Sequence, residues 1–271
     1  MNFCKLIKNI VLGGSILALS IAYVGCSHES SESTLDKDTL VVGMDDAFAP
    51  MGFKDESGEI TGFDVDLAKE LAKRLDKEIV FQPIDWTMKE SELKSGNIDL
   101  IWNGYTITEE RKNKVDFSVP YLKNKQVIVT LADSTINSKS DLANKKVGAQ
   151  SESSAVTAME KEIDLYNSFS GGSAITFEDN NQALMDLEAG RIDAVVADEI
   201  LVRYYLSLKG EEKFKILDDN FGEEEYGVGI RKGDKKMVDA FNKAYKEMQE
   251  DGTLQKISKK WFNEDITIKA E

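Results

Sequence analysis

The chain contains little cysteine, histidine or proline. Its 271 residues include 2 cysteines, 1 histidine and 3 prolines. Cys4, Cys26 and His28 all fall in the first 28 residues. Nucleophilic catalysis by a Ser-His-Asp or Cys-His set is therefore excluded for the rest of the chain, and so is a zinc site of His and Cys. Carboxylate-bound Ca²⁺ or Mg²⁺ stays open, but there is no EF-hand loop, and we expect neither metal nor cofactor.

Basic residues are also scarce. Lys and Arg total 34 against 49 Asp and Glu, which gives a formal net charge of −15. An acidic chain lacks the basic surface on which nucleic-acid binding depends. Hydrophobic residues make up 41% of the chain and charged residues 31%, a composition typical of soluble globular proteins. We therefore expect a globular protein with no nucleic-acid partner.

The longest apolar run lies at the N-terminus. Lys5 and Lys8 precede an uncharged run from about Ile10 to Val24, which has the length of a signal peptide and is short for a membrane span. Gly25-Cys26 follows directly. This resembles the bacterial lipoprotein signal, in which a peptidase cuts before a lipid-carrying cysteine; an ordinary secretory signal or an uncleaved anchor are the alternatives. We predict a signal peptide over 1–25, lipidation of Cys26 and a flexible tether over 26–37.

Short apolar runs alternate with helical patterns from about Asp38 to Trp261, which predicts an α/β fold with mainly parallel sheet. The predicted strands are Leu40–Met44, Ile79–Pro83, Ile98–Trp102, Gln126–Thr130, Lys146–Ala149, Ile175–Phe177, Ala194–Ala197, Lys215–Leu217 and Gly227–Ile230. The predicted helices are Asp64–Leu75, Asp85–Lys94, Ser153–Ile163, Asn180–Glu188, Glu199–Leu208, Lys235–Glu250 and Thr253–Trp261.

One pattern, L-x-x-G-x-I-D, occurs at the start of 93–101 and again at the start of 187–195. Each copy reads as a helix end, a glycine cap and a buried strand, so the repeat favours two similar α/β lobes over a generic αβ turn. Ligands of open parallel sheets bind beyond the carboxyl ends of the strands. The two copies therefore nominate Asn103-Gly104-Tyr105-Thr106 and Asp198 as neighbours of a site.

Chemically complementary residues follow these predicted strand ends. Arg111 offers a fork of donors that suits a carboxylate. Ser153 or Ser154, at a helix start, adds hydroxyl donors, and Asp198 suits an ammonium group. Together they favour a zwitterionic ligand. The alternatives are structural: Arg111 as a surface charge, and Ser153 and Asp198 as helix caps.

Three further residues could receive the rest of such a ligand. Phe48 and Trp86 could enclose an apolar stem, and Asp45 could meet a polar or cationic end. The alternative for both aromatic residues is a place in the hydrophobic core.

Several segments stand out as motifs when they are compared in order along the chain. They read G-M-D-D-A-F-A-P with G-E-I-T-G-F-D-V-D-L-A (43–68), I-D-L-I-W-N-G-Y-T-I-T-E-E-R (98–111), V-D-F-S-V-P-Y (115–121), D-L-A-N-K-K-V-G-A-Q-S-E-S-S-A (141–155), A-G-R-I-D-A-V-V-A-D (189–198), Y-G-V-G-I-R-K-G-D (226–234) and D-G-T-L-Q-K-I-S-K-K-W-F (251–262). Nearly the whole chain after residue 38 thereby resembles the polar amino-acid family of solute-binding proteins of bacterial ABC importers.

The resemblance implies a type II periplasmic-binding fold, with two α/β lobes joined by two crossing strands and a ligand trapped between them. Lobe 1 would comprise residues 38–124 and 224–271, and lobe 2 residues 125–223. The implied roles are Arg111 for the α-carboxylate, Asp198 for the α-ammonium with a backbone carbonyl near Asn103, Thr106 and Ser154 as further donors, Phe48 and Trp86 as stacking aromatics, and Asp45 as side-chain selector.

Two positions depart from the family pattern. Glu152 stands where a glycine is usual, and we expect its side chain to point outward or toward a cation. Asn103-Gly104 replaces a more usual Ser-rich or Gly-rich pair.

The resemblance implies a receptor and not an enzyme. It would deliver a polar L-amino acid (Arg, Lys, His, Gln or cystine) to an ABC permease and its ATPase, as an extracytoplasmic monomer anchored to the cell membrane through Cys26. The alternatives are a dehydratase on the same fold that acts on a cyclohexadienyl acid, and a sensing or adhesion module.

Overall fold

The computed structural model describes residues 33–270. The predicted signal peptide (1–25) and Cys26 lie outside this range. In the described part of the chain, no helix is long and apolar enough to cross a membrane.

The bounds of the elements are as follows. The strands are β1 (Thr39–Met44), β2 (Ala47–Phe48), β3 (Gly52–Lys54), β4 (Ile60–Thr61), β5 (Glu78–Pro83), β6 (Leu100–Ile101), β7 (Val115–Phe117), β8 (Leu122–Leu131), β9 (Val147–Gln150), β10 (Ile175–Phe177), β11 (Ala194–Asp198), β12 (Phe214–Tyr226) and β13 (Gly229–Arg231). The α-helices are α1 (Phe63–Arg74), α2 (Lys89–Ser95), α3 (Glu109–Lys114), α4 (Ser154–Glu160), α5 (Ile163–Asn167), α6 (Asn180–Glu188), α7 (Glu199–Lys209), α8 (Lys235–Glu250) and α9 (Thr253–Phe262).

Two five-stranded sheets organise the fold. The first has the order β5-β1-β6-β13-β7 and the second the order β10-β9-β11-β8-β12. In each, three neighbouring strands are parallel (β5, β1 and β6; β10, β9 and β11) and the rest are antiparallel. Helices cover these sheets, since a parallel sheet must bury both faces. The predicted two-lobed α/β architecture is confirmed.

The repeated L-x-x-G-x-I-D pattern forms the same local structure in both sheets, a helix end followed by a parallel strand. Gly96 and Gly190 end helices with φ of +82° and +67°, a conformation that glycine adopts without a Cβ clash. The aspartates that follow accept a backbone N–H from the parallel neighbouring strand or the residue just before it: Asp99 from Val41 in β1 at 3.0 Å, and Asp193 from Lys146, which precedes β9, at 2.7 Å. The two units are therefore built alike.

Two long strands run between the sheets. β8 leaves the end of β7, and β12 returns toward β13; they pair antiparallel from Leu122↔Tyr226 to Leu131↔Phe214. Both of the lobe boundaries drawn from the sequence, 124/125 and 223/224, fall within these strands. The sequence predicts only Lys215–Leu217 of β12, because register shifts near Asn220 break the alternation of buried and exposed residues.

Two predicted helices are each divided in the structure. The segment predicted as Asp85–Lys94 is a 3-10 turn, Trp86–Met88, followed by α2, and the segment predicted as Ser153–Ile163 comprises α4 and α5.

The residues just before β1 are ordered, although the sequence predicts a flexible tether up to residue 37. Ser33 and Thr34 are buried, and both donate to the carboxylate of Asp234, from Ser33 Oγ at 2.5 Å and from the Thr34 backbone N–H at 2.7 Å. Asp234 is also the N-cap of α8, so this carboxylate fixes the start of the folded body 200 residues away in sequence.

Candidate ligand-binding site

Polar side chains from the strand ends of both sheets meet at one small cavity. Its lining residues are Asp45, Phe48, Trp86, Asn103, Gly104, Arg111, Gln150, Ser153, Ser154 and Asp198. All of the residues predicted from the sequence are in this set except Thr106, whose hydroxyl lies 3.0 Å from that of Ser154. The space open to the centre of a water molecule is about 10 Å³, which is room for about one water.

Arg111 is a buried cation. Thr108 caps α3 by accepting the Arg111 backbone N–H at 3.1 Å, and the guanidinium lies 4.4 Å from the centre of the Tyr105 ring. It donates to the carbonyls of Thr106 and Glu152, at 3.0 and 3.3 Å. Its side chain is not a surface charge, since only 7% of the residue is exposed. Of the residues that the structure describes, none places a carboxylate within ion-pair distance of it.

Asp198 is a buried carboxylate that lines the same cavity as Arg111. It stands at the N-cap position of α7, but its side chain makes no capping bond. Its Oδ1 accepts from Tyr226 Oη at 2.6 Å, Asn124 Nδ2 at 2.6 Å and Gln126 Nε2 at 3.1 Å. Burial, and then the neighbouring charge of Glu224, raise the pKa of Asp198 above its ordinary value.

The two serines have different partners. Ser153 precedes α4 and donates through Oγ to the Gln150 carbonyl at 2.7 Å, so it does not cap the helix with its side chain. Ser154 Oγ accepts from Gln126 Nε2 at 3.2 Å and exchanges a hydrogen bond with Thr106. Thr106 precedes α3 and Ser154 begins α4, so this contact joins the two halves of the cleft.

Asp45 and Gln150 face each other across the cleft. Gln150 Nε2 donates to Asp45 Oδ2 at 2.7 Å, and Gln150 Oε1 accepts from Asn180 Nδ2 at 3.0 Å. Burial raises the pKa of Asp45 to about 6. Gln150 is not among the residues predicted from the sequence, although it directly follows the predicted strand Lys146–Ala149, and that position is the signal that could have identified it.

The aromatic residues are both core and lining. Phe48 and Trp86 are 5% and 8% exposed, and Trp86 packs edge-on against Tyr105 at 5.9 Å. Phe48 fits closely over Gly104, where a Cβ would lie 2.6 Å from Phe48 Cε1 and where φ is +58°. Only glycine suits that position, for both reasons.

The loop after β6 is held by a buried carboxylate of the G-F-D-V-D motif. Asp64 Oδ2 accepts the Gly104 backbone N–H at 2.8 Å and Tyr121 Oη at 2.9 Å. Burial raises the pKa of Asp64 to about 7. The Asn103 side chain accepts from the Asp45 backbone N–H at 3.3 Å and so ties the loop to the end of β1.

Glu152 and Lys89 form a second contact across the cleft. The Glu152 side chain is exposed, and its φ of +54° lies in the left-handed region. Its carbonyl accepts from Lys89 Nζ at 3.2 Å and from Arg111. Lys89, 1% exposed, also donates to the Trp86 carbonyl at 3.0 Å and lies 3.4 Å from Glu90 Oε2. Nothing in the sequence separates this lysine from its exposed neighbours.

The ionisation of Lys89 makes stability depend on pH. Burial, and then the charge of Arg111, lower the pKa of Lys89 to about 8. Between pH 8 and 10 the unfolded chain binds more protons at this site than the folded chain does. The free energy of unfolding of the wild type should therefore rise relative to that of Lys89→Met as the pH increases from 7 toward 10, by up to about 3 kcal/mol.

Denaturant unfolding at a series of pH values measures this difference. Lys94→Met, on the exposed side of the same helix, is the matched control and should show no such trend. Parallel curves for the wild type and Lys89→Met would contradict the lowered pKa.

Metal ligands are not assembled at this site. Within residues 33–270, no group of three or more His, Cys, Asp or Glu side chains is arranged to hold a metal ion.

Comparison with known proteins identifies the family. The profile of the bacterial extracellular solute-binding proteins, family 3, matches residues 40–264. The L-cystine-binding protein TcyJ of Escherichia coli K12 is 34% identical over 273 residues, covering 98% of this chain and 100% of TcyJ. The arginine-binding extracellular protein ArtP of Bacillus subtilis is 36% identical over 248 residues, covering 90% and 94%.

A solved structure of a substrate-binding protein is also similar to this chain. The substrate-binding protein of an ABC uptake transporter from Streptococcus pneumoniae with bound histidine superimposes with a TM-score of 0.84 at 39% identity, covering 87% of this chain and 96% of that one. The chain belongs to the family 3 solute-binding proteins.

Proposed function

We propose that this family 3 solute-binding protein is the receptor of an amino-acid ABC importer and that it binds one polar L-amino acid as a zwitterion between its two sheets. One observation carries the proposal. In the described part of the chain, buried Arg111 has no carboxylate partner and buried Asp198 has no cationic partner, yet both line one cavity. An isolated buried charge is costly. A ligand with one carboxylate and one ammonium would satisfy both residues.

The geometry supports a role for each half of the ligand. The Arg111 fork would bind the α-carboxylate bidentately, with the hydroxyls of Thr106 and Ser154 nearby. Asp198 would accept from the α-ammonium. The side chain would pass between Phe48 and Trp86 toward Asp45.

Binding would require the two sheets to separate. The cavity of about 10 Å³ is far smaller than an amino acid, and the sheets touch through contacts such as Gln150 to Asp45 and Asn181 Nδ2 to the Ala47 carbonyl at 3.1 Å. β8 and β12 would act as the hinge. The ligand would shift the equilibrium toward the closed form by bridging Arg111 and Asp198, and the closed form would dock on the permease.

The far end of the cleft supports a ligand with a cationic or amide side chain. Asp45 would accept from such a group, and Gln150 would offer an amide beside it. A pKa of about 6 leaves Asp45 mainly ionised at pH 7, which favours a cation. The relatives named above for arginine and cystine and the histidine-bound structure fall within the predicted set of ligands.

We also propose the lipoprotein form for this chain. The apolar run and Gly25-Cys26 support cleavage after residue 25 and lipidation of Cys26. The receptor would then be held at the outer face of the cell membrane, as a monomer, within reach of its permease and ATPase.

A thermal-shift screen tests the function. Purified protein, freed of ligand by unfolding and refolding, is heated with each of the twenty L-amino acids, cystine and the D-isomers. At 100 times its Kd, the true ligand should stabilise the protein by about 2.7 kcal/mol, a rise of a few degrees in Tm.

Stabilisation by one or a few L-amino acids would support the proposal and identify the ligand. No shift with any of them would overturn it. The dehydratase alternative is tested on the same preparation by incubation with prephenate and arogenate, and we expect no turnover.

A further inference from the structure

A second carboxylate lies beside Asp198, on the strand β12. Glu224 Oε1 and Asp198 Oδ1 share two donors: Asn124 Nδ2, at 2.7 and 2.6 Å, and Gln126 Nε2, at 2.8 and 3.1 Å. Glu224 Oε1 also accepts from Thr106 Oγ1 at 2.9 Å. Two acceptors held by the same two amide nitrogens must be close neighbours, so these carboxylates form a pair.

The pair has neutral donors only. Tyr226, Thr106, the two amides and, at 3.4 Å, Ser154 Oγ donate to it, and no Lys or Arg nitrogen of residues 33–270 comes within 4 Å of either carboxylate. The same amides leave two buried oxygens, Asn124 Oδ1 and Gln126 Oε1, without any partner. Asn124 and Gln126 are 6% and 1% exposed. The cluster therefore has more acceptors than donors, which is the chemistry that receives an ammonium group.

Charged residues on the surrounding elements do not supply the missing cation. On β8 and α7, Lys125 pairs with Glu199 at 3.3 Å, and Arg203 also bonds Glu199. On α3, Lys112 pairs with Glu109 at 2.7 Å. Lys161, after α4, and Glu110, on α3, line the open pocket on the other side of Glu224, and Lys161 forms no ion pair with either carboxylate. The other charged or titratable groups facing this region are Lys123 on β8, exposed Glu223 and Glu225 on β12, Arg111 across the cavity, and Tyr121 with Asp64 behind Tyr226.

We propose that Glu224 is a second binding residue for the ligand ammonium, and that Asp198 and Glu224 share one proton which the ammonium displaces. This rests on the proposed function. In the free protein, one carboxyl O–H donates to the other carboxylate. On binding, that proton leaves to solvent, and ammonium N–H groups donate to both carboxylates instead. Asp198 is buried and Glu224 is half-buried. Two carboxylates this close do not both ionise readily, and the raised pKa of Asp198 has that cause in part.

Proton release on binding tests the pair. Calorimetric titration of L-arginine, L-histidine or L-cystine, whichever gives the largest shift in the thermal screen, into the protein at pH 7 to 8, in buffers of different ionisation enthalpy, should show release of about one proton per bound amino acid. At pH 7 to 8 Asp45 is already mainly ionised, so it contributes little to the protons released on binding. Affinity should fall with falling pH, by up to about tenfold per pH unit. Glu224→Gln should release fewer protons and show a weaker pH dependence, because the burial of Asp198 remains but the second carboxylate is gone. Glu225→Gln, exposed on the same strand, is the matched control and should behave as the wild type does.

A second measurement needs no ligand. Because the pair holds a proton in the folded state only, the Tm of the ligand-free wild type should fall as the pH rises from 5 to 8, relative to the Tm of Glu224→Gln. Binding without proton release, or equal release by wild type and Glu224→Gln, would overturn the inference and leave the receptor function standing. If no amino acid binds, the proposed receptor function is wrong. If the Tm of the wild type and that of Glu224→Gln change in parallel with pH, the proposal that the two carboxylates share a proton is wrong as well.

Discussion

Replacing Arg111 by alanine is expected to abolish high-affinity binding. The guanidinium is buried, stacked on Tyr105 and bonded to the carbonyls of Thr106 and Glu152, so it is already positioned before a ligand arrives. Removing it would leave a ligand carboxylate buried and unpaired, which costs about 3–5 kcal/mol. That corresponds to a loss of roughly two to nearly four decades in Kd. Titration calorimetry with the ligand found in the thermal-shift screen measures it.

Two further variants sharpen that experiment. Lys112→Ala removes an exposed cation from the same short helix and should leave the affinity within about threefold. Arg111→Lys keeps the charge but loses the planar fork of donors, so its affinity should lie between those of Lys112→Ala and Arg111→Ala. An Arg111→Ala protein that folds, with a Kd within tenfold of the wild type, would refute the assignment of Arg111 to the carboxylate.

Asp198→Asn is expected to separate binding from stability. The amide keeps an oxygen to accept from Tyr226, Asn124 and Gln126, but it removes a charge that would face the ligand ammonium. Leaving that ammonium with a weaker partner should cost about 2–5 kcal/mol of binding free energy. Titration calorimetry measures the loss.

The ligand-free variant should be more stable than the wild type at pH 7. Asp198 has a raised pKa in the folded protein, so at any pH above its pKa in the unfolded chain the unfolded state releases a proton that the folded state retains, which costs free energy of folding. Asparagine carries no such cost, and its advantage should shrink as the pH falls toward 4. Thermal melts across pH measure this, with Asp218→Asn, exposed on β12, as the control. A destabilised variant that still binds tightly would show that Asp198 serves the fold and not the ligand.

Local patterns were sufficient to predict most of the architecture. Alternation of apolar runs and helical periodicity located the parallel strands of both sheets, because each such strand is short, buried and bounded by turns. The L-x-x-G-x-I-D repeat predicted two similar units, and Asp99 and Asp193 make equivalent bonds in them. β12 was predicted at only three of its residues, since its bulges break the period of two.

The strand-end rule also brought the predicted site residues together. Asp45, Asn103 and Ser154 follow strands and Asp198 is the last residue of β11, and all four line one cavity at the carboxyl ends of the strands. Position after a predicted strand, chemical complementarity to a zwitterion and the family resemblance together nominated them, because the carboxyl ends of parallel strands meet at one edge of a sheet.

Glu224 and Lys89 could be identified only in the folded chain. In the sequence, Glu224 is the middle of three glutamates and Lys89 is one of two lysines in a polar helix. Their environments come from partners that are distant in sequence: Glu224 accepts from Gln126, 98 residues away, and Lys89 donates to Glu152, 63 residues away.

The sequence by itself therefore determined the α/β units, the strand-end residues and the family resemblance, because these depend on periodicity and motifs within a few residues. Tertiary structure alone decided which charges are buried, which of them lack a partner and which carboxylates form a pair. Burial and charge pairing depend on packing between β8, β11 and β12, and no local pattern encodes that packing.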